Sequence, residues 1–150
     1  MRGWLLDTNV VAELSRPNPA RSVVAWAGAQ PEERIFISIL MLGEYDKGIS
    51  QLAVAEPRRT QLEAAVAALA KRFAGRILPV SDAVVRRWGR VSGLVKRATR
   101  QTPPVIDTLL AATAIEHDLH FVTRNVRDVA QSGAAIFNPW ADDPAAFPLA

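Results

Sequence analysis

Short apolar runs alternate with longer amphipathic stretches along this chain. Five runs are short and rich in β-favouring residues, which predicts strands at residues 3–6, 35–38, 77–80, 119–122 and 134–137. Between the runs, apolar residues recur at helical spacing, as Leu62, Val66, Leu69 and Phe73 do. The pattern therefore predicts strands that alternate with helices.

Capping residues and breakers locate those helices. The predicted helices are one opened by Asp7, residues 20–29, residues 39–50, one from Pro57 to Gly75, one capped by Ser81, and residues 106–118. In the first, Val10, Val11 and Leu14 are expected to face inward. In the last, the alanines at 111, 112 and 114 are expected to let the helix approach the sheet closely. Alternating strands and helices imply a parallel sheet with right-handed crossovers. We predict an α/β fold, a doubly wound parallel sheet of about five strands in a three-layer α/β/α arrangement.

Composition limits the classes of protein that fit. A chain of 150 residues with 49% apolar residues is long enough for one domain with a buried core. Without cysteine, disulfides and thiolate metal sites are excluded. No apolar run approaches the ~20 residues that span a bilayer, and the N-terminal stretch is too brief for a signal peptide. A cytoplasmic location with no membrane contact is the default expectation.

The domain is expected to cover residues 1–140, followed by a C-terminal tail over 141–150. From Asn138 onward the chain is rich in proline, alanine and aspartate. Such a composition favours a segment that packs loosely on the domain.

The positive charge is unevenly distributed. The net charge is +3, but basic residues crowd into three groups: Arg86, Arg87, Arg90, Lys96, Arg97 and Arg100; Lys71, Arg72 and Arg76; and Arg124 with Arg127. A basic surface around an acidic pocket suits a phosphodiester substrate. Any one group alone could equally be a solvated helix face.

Three carboxylates lie close to the ends of predicted strands. Asp7 follows residues 3–6, Glu44 lies shortly after residues 35–38, and Asp107 opens the helix 106–118. In an α/β sheet such strand ends meet at one edge. Carboxylates gathered there repel one another unless a divalent cation lies between them. Oxygen ligands favour Mg²⁺ or Mn²⁺.

Four motifs in order carry a resemblance to a known family. They are LLDTNV at residues 5–10, GEYDKGI at 43–49, DTLLAATA at 107–114 and TRN at 123–125. Together they resemble the PIN domain, and more narrowly the VapC toxins of bacterial toxin–antitoxin pairs. FNPW at residues 137–140 resembles the FitB-like branch. The resemblance spans nearly the whole chain and assigns residues 1–140 to the PIN domain.

The resemblance implies a metal-dependent endoribonuclease toxin that cleaves RNA phosphodiester bonds. It also implies a cognate VapB-type antitoxin as inhibitor, and a homodimer that assembles into a larger toxin–antitoxin complex. The family's acidic positions carry over to Asp7, Glu44 and Asp107, as catalytic residues and as ligands of Mg²⁺ or Mn²⁺. The alternative is a catalytically degenerate PIN fold that binds RNA or a partner without cutting.

The fourth acidic position has two candidates. Asn125 stands where some relatives have aspartate, and Asp128 lies three residues later, where many toxins have an acid. We favour Asn125 because it directly follows the predicted strand end, and Asp128 is the supporting candidate. Thr8 and Thr123 are further supporting candidates that could orient the acids or donate hydrogen bonds to a phosphate.

Arg124 and Arg127 are candidates for contact with RNA phosphate, although Arg124 could instead pair with a nearby acid. His117 and His120 flank a helix end and are expected to be structural. The four tryptophans, Trp4, Trp26, Trp88 and Trp140, are expected in the core or at a dimer contact.

Each acid also has an ordinary structural interpretation. Asp7 could be only a helix N-cap, Asp107 a first-turn acid favoured by the helix dipole, and Glu44 a solvated helix residue. A rival enzyme class, the aspartyl-nucleophile phosphatases of the haloacid dehalogenase type, needs a second acid two residues after the first. Asn9 occupies that position and cannot serve.

Overall fold

Strands and helices alternate along the computed structural model, which describes residues 1–150. The strands are β1 Gly3–Leu6, β2 Ile35–Ser38, β3 Ile77–Leu78, β4 Leu119–Val122 and β5 Ile136–Phe137. The helices are α1 Thr8–Leu14, α2 Arg21–Ala29, α3 Ile39–Ser50, α4 Pro57–Arg72, α5 Asp82–Thr99, α6 Val105–Glu116 and α7 Val126–Val129. Two 3₁₀ turns, Glu32–Arg34 and Pro144–Ala146, complete the chain.

All five strands are parallel and form one sheet in the order β3-β2-β1-β4-β5. The central strand β1 pairs with β2 on one side and with β4 on the other, where Leu6 lies opposite Val122. The strand order reverses between β1 and β4, which makes their carboxyl ends the switch point of the sheet. The predicted doubly wound α/β fold is confirmed.

The central pair of strands is closely packed. A Cβ added to Gly3 in β1 would collide with the carbonyl oxygen of Arg34, just before β2. Only a residue without a side chain fits there.

Three elements are shorter than the sequence predicted, namely the edge strands β3 and β5 and the helix α6. β3 covers Ile77–Leu78 rather than 77–80, and β5 covers Ile136–Phe137 rather than 134–137. Pro79 directly follows β3 and has no N–H to continue the pairing. Helix α6 ends at Glu116 rather than at 118, because Asp118 adopts a left-handed conformation with φ of 55°.

Successive residues of β1 point to opposite faces of the sheet. Leu6 packs in a cluster with Val10 and Trp26, whereas Leu5 packs with Leu110 and the alanines of α6. The small side chains of α6 allow it to lie close to the sheet, as its sequence predicted. α6 is strongly apolar but only 12 residues long. No helix has both the length and the apolar character needed to cross a membrane.

One inward position in the first helix was predicted wrongly. Val10 is fully buried and Val11 is half-buried, but Leu14 is 36% exposed. Leu14 is the last residue of the short α1 and lies on the wall of an open groove, with Trp26 and Leu69 also lining it. The groove leaves its side chain without full cover.

The C-terminal segment packs on the core, so the expectation of loose packing was wrong. The ring of Phe147 lies 4.9 Å from that of Phe137 and 5.5 Å from that of His120, measured between centroids. The backbone N–H of Ala150 donates to the carbonyl of Met1 at 2.8 Å. A few apolar side chains therefore hold a segment that is otherwise rich in alanine, proline and aspartate. The division of the chain at residue 140 stays a prediction.

Candidate active site

The carboxyl ends of β1 and β4 bring two polar residues side by side. Asp7 follows β1, and its backbone N–H donates to the carbonyl of Val122 at 2.9 Å. Thr123 follows β4 and continues toward β5 by donating its N–H to Phe137 at 3.0 Å. The hydroxyl of Thr123 then donates to Oδ2 of Asp7 at 2.7 Å. Asp7 and Thr123 thus form the floor of the switch point.

Asp7 is held by two more hydrogen bonds. Its Oδ1 accepts from the backbone N–H of Thr8 at 2.7 Å, and its Oδ2 accepts from Nδ2 of Asn9 at 3.1 Å. Asp7 is therefore the N-cap of α1, which is the ordinary structural role that the sequence also allowed. Burial raises the pKa of Asp7, and the hydrogen bonds from Thr123, Thr8 and Asn9 oppose that increase. A carboxylate that only capped a helix would be more stable in contact with water, because burial in the switch point disfavours its charged form.

Glu44 approaches Asp7 from the next helix. Ser38 caps α3 by accepting the N–H of Leu40 at 3.1 Å, and Glu44 lies in the middle of that helix. Its Oε1 accepts a hydrogen bond from the hydroxyl of Thr8 at 3.0 Å. Thr8 therefore connects the two acids, with its N–H on Asp7 and its hydroxyl on Glu44.

Asp107 is the most perturbed acid of the site. It lies half-buried in the first turn of α6 and receives none of the side-chain hydrogen bonds that hold Asp7. Burial, together with the negative charges of Asp7, Asp128 and Glu44, raises the pKa of Asp107 from 3.8 to about 6. Asp7, Asp128 and Glu44 therefore lie close enough to Asp107 to repel its charge.

The acids do not touch. No group of three acidic or histidine side chains is close enough to hold one ion among them directly. The arrangement still fits a hard divalent cation, because Mg²⁺ is usually bound by one or two carboxylates and keeps several waters. The donors are oxygens only, and their mutual repulsion is what a cation would relieve. The assignment of Asp7 and Asp107 as ligands stays a prediction.

The two candidates for the fourth acidic position differ in their surroundings. Asn125 is exposed at the start of α7, and its backbone N–H donates to the hydroxyl of Thr123 at 2.9 Å. Asp128 lies three residues later, half-buried, with its charge acting on Asp107. The preference for Asn125 stays a prediction. The charge of Asp128 acts on Asp107, which the sequence did not indicate.

Arg124 pairs with an aromatic ring rather than with an acid. Its guanidinium lies 5.1 Å from the centroid of Trp140, and its backbone N–H donates to Asn9 at 3.3 Å. Arg127 is exposed on α7. His120 is buried against Trp4 with ring centroids 4.8 Å apart, which agrees with a structural role.

Sequence reasoning missed three residues that position the acids. Asn9 bridges Asp7 and Thr123, since its Nδ2 also lies 3.2 Å from the threonine hydroxyl. Trp88 of α5 donates from Nε1 to the hydroxyl of Thr108 at 3.0 Å, which fixes the residue next to Asp107. The signal for Asn9 was its place in the LLDTNV motif. No local signal identified the contact between Trp88 and Thr108, because it depends on how α5 packs against α6.

Comparison with known proteins adds a family and its relatives. The model of the PIN domain family matches residues 4–131. The chain is 32% identical to the toxin FitB of Neisseria gonorrhoeae over 138 residues, which cover 92% of this chain and 99% of FitB. It is 29% identical to the VapC ribonuclease Y4jK of Sinorhizobium fredii over 136 residues, covering 91% of this chain and 96% of that protein.

The fold is also similar to solved structures. A structure of FitAB bound to a DNA fragment superposes with a TM-score of 0.83 and 30% sequence identity. The superposition covers 93% of this chain and 97% of that one. The similarity therefore extends over nearly the whole fold.

Proposed function

This chain belongs to the PIN domain family, and from that premise we infer that it is an endoribonuclease toxin of a toxin–antitoxin pair. The observation that carries the inference is the placement of Asp7, Glu44 and Asp107 around the switch point of the sheet. Burial and the neighbouring carboxylates raise the pKa of Asp107 to about 6, and a site of this kind would be stabilised by a cation that neutralises its charge.

We propose that cleavage depends on Mg²⁺, with Mn²⁺ as a substitute. When bound, such an ion neutralises charge on the phosphate and activates water. Asp7 and Asp107 would hold it, and Glu44 would do so through water. The oxygen-only donor set and the absence of cysteine support a hard ion.

The residues of the chain divide the remaining work. Thr123, Thr8 and Asn9 fix both oxygens of Asp7, so this carboxylate is oriented before any ligand arrives. Thr8 holds Glu44 where it can orient an attacking water. We propose Asn125 as the fourth catalytic residue, with Asp128 in support. Arg124 and Arg127 would contact the RNA backbone beside the acids.

We propose a VapB-type antitoxin as the partner that neutralises the toxin, in the larger complex that the relatives' names suggest. A homodimer is part of the same proposal. Exposed apolar surface close to the acidic site supports these contacts. It is formed by three large side chains that are each at least 36% exposed: Ile39, Val105 and Ile106. We place the activity in the cytoplasm, where RNA is available.

A cleavage assay tests the function. Asp7→Asn and Asp107→Asn should each abolish Mg²⁺-dependent cleavage of RNA while circular dichroism shows an intact fold. The exposed Glu33 provides the matched control, since Glu33→Gln removes one charge away from the site. Cleavage by Asp7→Asn at the wild-type rate would reject the site.

A growth assay tests the toxin. Expression of the chain alone should arrest bacterial growth, and co-expression of the cognate antitoxin should restore it. Wild-type protein that binds RNA but never cleaves it would instead support the degenerate PIN fold.

A further inference from the structure

We propose that the exposed face of α5, together with the polar cleft at its C-terminal end, is a track that binds single-stranded RNA beside the acidic site. The proposal rests on the proposed ribonuclease function and specifies where the substrate lies. The track is defined by Arg86, Arg90, Arg97 and Arg100, followed by the cleft that Arg127 lines.

The arginines lie on one face of α5 because of helical geometry. Val84, Val91 and Val95 are buried and mark the inner face. At 100° per residue, Arg86, Arg90 and Arg97 fall on the opposite side, where all three are exposed. With a rise of 1.5 Å per residue they extend over about 16 Å. They therefore form a row rather than scattered charges.

These cations are free of acidic partners. Arg87 of the same helix forms a salt bridge with Glu116, and in the other large basic group Arg72 and Arg76 both pair with Glu32. None of the four arginines of the track forms a salt bridge. The one acid in α5 is Asp82, in its first turn. An unneutralised row of this kind attracts a polyanion.

Two glycines interrupt the same face. Gly89 and Gly93 lie between the arginines, and a Cβ at either would meet nothing within 4 Å. Neither packing nor a left-handed backbone requires glycine there, although glycine is unfavourable in a helix interior. Their effect is to expose the helix backbone between the guanidinium groups, which allows another backbone to approach closely.

Arg100 is held in an unfavourable backbone conformation. It ends α5 with φ of 60°, in the left-handed region where glycine is preferred. An arginine at a position where glycine would be more stable indicates that its side chain has a role.

The cleft connects this row to the acids. It has a volume of about 220 Å³ and is lined by polar side chains, among them Thr99, Gln101, Arg127 and Asp128. Asp128 lies on α7, which packs against α6, and its charge acts on Asp107, so the cleft lies close to the acidic site. Apart from Val95 and two prolines the lining offers no apolar anchor, which favours a nucleic acid strand over a protein segment.

Fluorescence anisotropy with a labelled single-stranded RNA of mixed sequence and about 20 nucleotides tests the track. EDTA prevents metal-dependent cleavage, so binding is measured alone. Arg90→Gln combined with Arg97→Gln should weaken binding about tenfold or more and lower the salt slope by roughly 1.4, since each phosphate contact in a single strand contributes roughly 0.7. Arg58→Gln, an exposed arginine on α4, is the matched control and should bind within twofold of wild type.

A second variant separates binding from folding. Arg100→Gly should raise the melting temperature, because it removes the left-handed strain, and should weaken RNA binding severalfold. A binding loss in a more stable protein cannot come from misfolding.

Wild-type affinity for RNA in the double variant Arg90→Gln, Arg97→Gln would overturn the track. The track would also be overturned if that variant kept its RNA affinity but no longer assembled with the antitoxin, because the arginines would then bind the antitoxin. If the wild type cleaves RNA while these variants bind it normally, only the track fails. A wild type that neither binds nor cleaves RNA would overturn the ribonuclease function as well.

Discussion

Replacing Asp107 by asparagine should stabilise the metal-free protein. Its side chain carries a negative charge into a half-buried position that three other carboxylates repel. Asparagine has nearly the same shape and no charge. The substitution that removes activity should therefore improve stability, provided that no divalent ion is present.

The size of the effect follows from the pKa. Raising it from 3.8 to about 6 corresponds to roughly 3 kcal/mol of stability lost by the ionised form. Because much of the side chain remains in contact with solvent, screening reduces the expected gain to about 1–2 kcal/mol.

The gain must depend on pH in one direction. A carboxyl group with a raised folded-state pKa stabilises the folded state most below pH 3.8, and that contribution is lost as the pH rises through about 6. The advantage of Asp107→Asn over wild type should therefore be full at pH 8 and fall to about a third near pH 4.5.

Urea unfolding in EDTA at several pH values measures the difference in the free energy of unfolding. Mg²⁺ should stabilise the wild type and close the gap. Glu33→Gln should show no such pH-dependent gain. If Asp107→Asn is no more stable than wild type at pH 8 in EDTA, the acids do not repel one another and the reasoning is refuted.

Three further outcomes are expected. Gly3→Ala should lower the free energy of unfolding by roughly 1–3 kcal/mol in urea titration, because its Cβ meets a backbone carbonyl, and an unchanged value would show that the central strands can separate freely. If the exposed Ile39 lies in the contact of the proposed homodimer, Ile39→Glu should give the mass of a monomer in light scattering. The fold should be kept, since an acid is favoured in the first turn of a helix. An unchanged mass would place the dimer contact elsewhere. If Asn125 shapes the site, Asn125→Asp should preserve cleavage or lower its Mg²⁺ requirement; a sharp rise in that requirement for Asp128→Ala alone would assign the fourth position to Asp128.

The sequence predicted the elements that a local pattern specifies. The apolar run before Asp7 ends abruptly at a polar residue, and that pattern identified both β1 and the start of α1. The alanines of α6 predicted its close approach to the sheet. The parallel sheet followed because predicted helices separate the first four strands, which leaves little choice of topology. The short α7 between β4 and β5 was not predicted.

The sequence could not predict contacts that depend on tertiary packing. Phe147 lies in a segment rich in proline and alanine with no helix or strand pattern, and its packing depends on Phe137 and His120, which are near it only in the fold. The hydrogen bond that Thr123 donates to Asp7 joins the ends of β4 and β1, more than one hundred residues apart in the chain. The half-burial of Asp128 likewise depends on where α7 lies against α6. Such contacts need the strand order and helix packing before they can be inferred.

The hydrogen bonds on Asp7 have a consequence for ion selectivity. Thr123, Thr8 and Asn9 fix this carboxylate, whereas Asp107 has no such support. A fully rigid cage discriminates between ions by size, but a site with one fixed and one adjustable ligand accepts neighbouring radii. If Asp7 and Asp107 hold the ion as proposed, the fixed carboxylate would set its position and the adjustable one would accommodate its radius. Activity should therefore tolerate exchange between Mg²⁺ and Mn²⁺ more readily than a fully preformed site would.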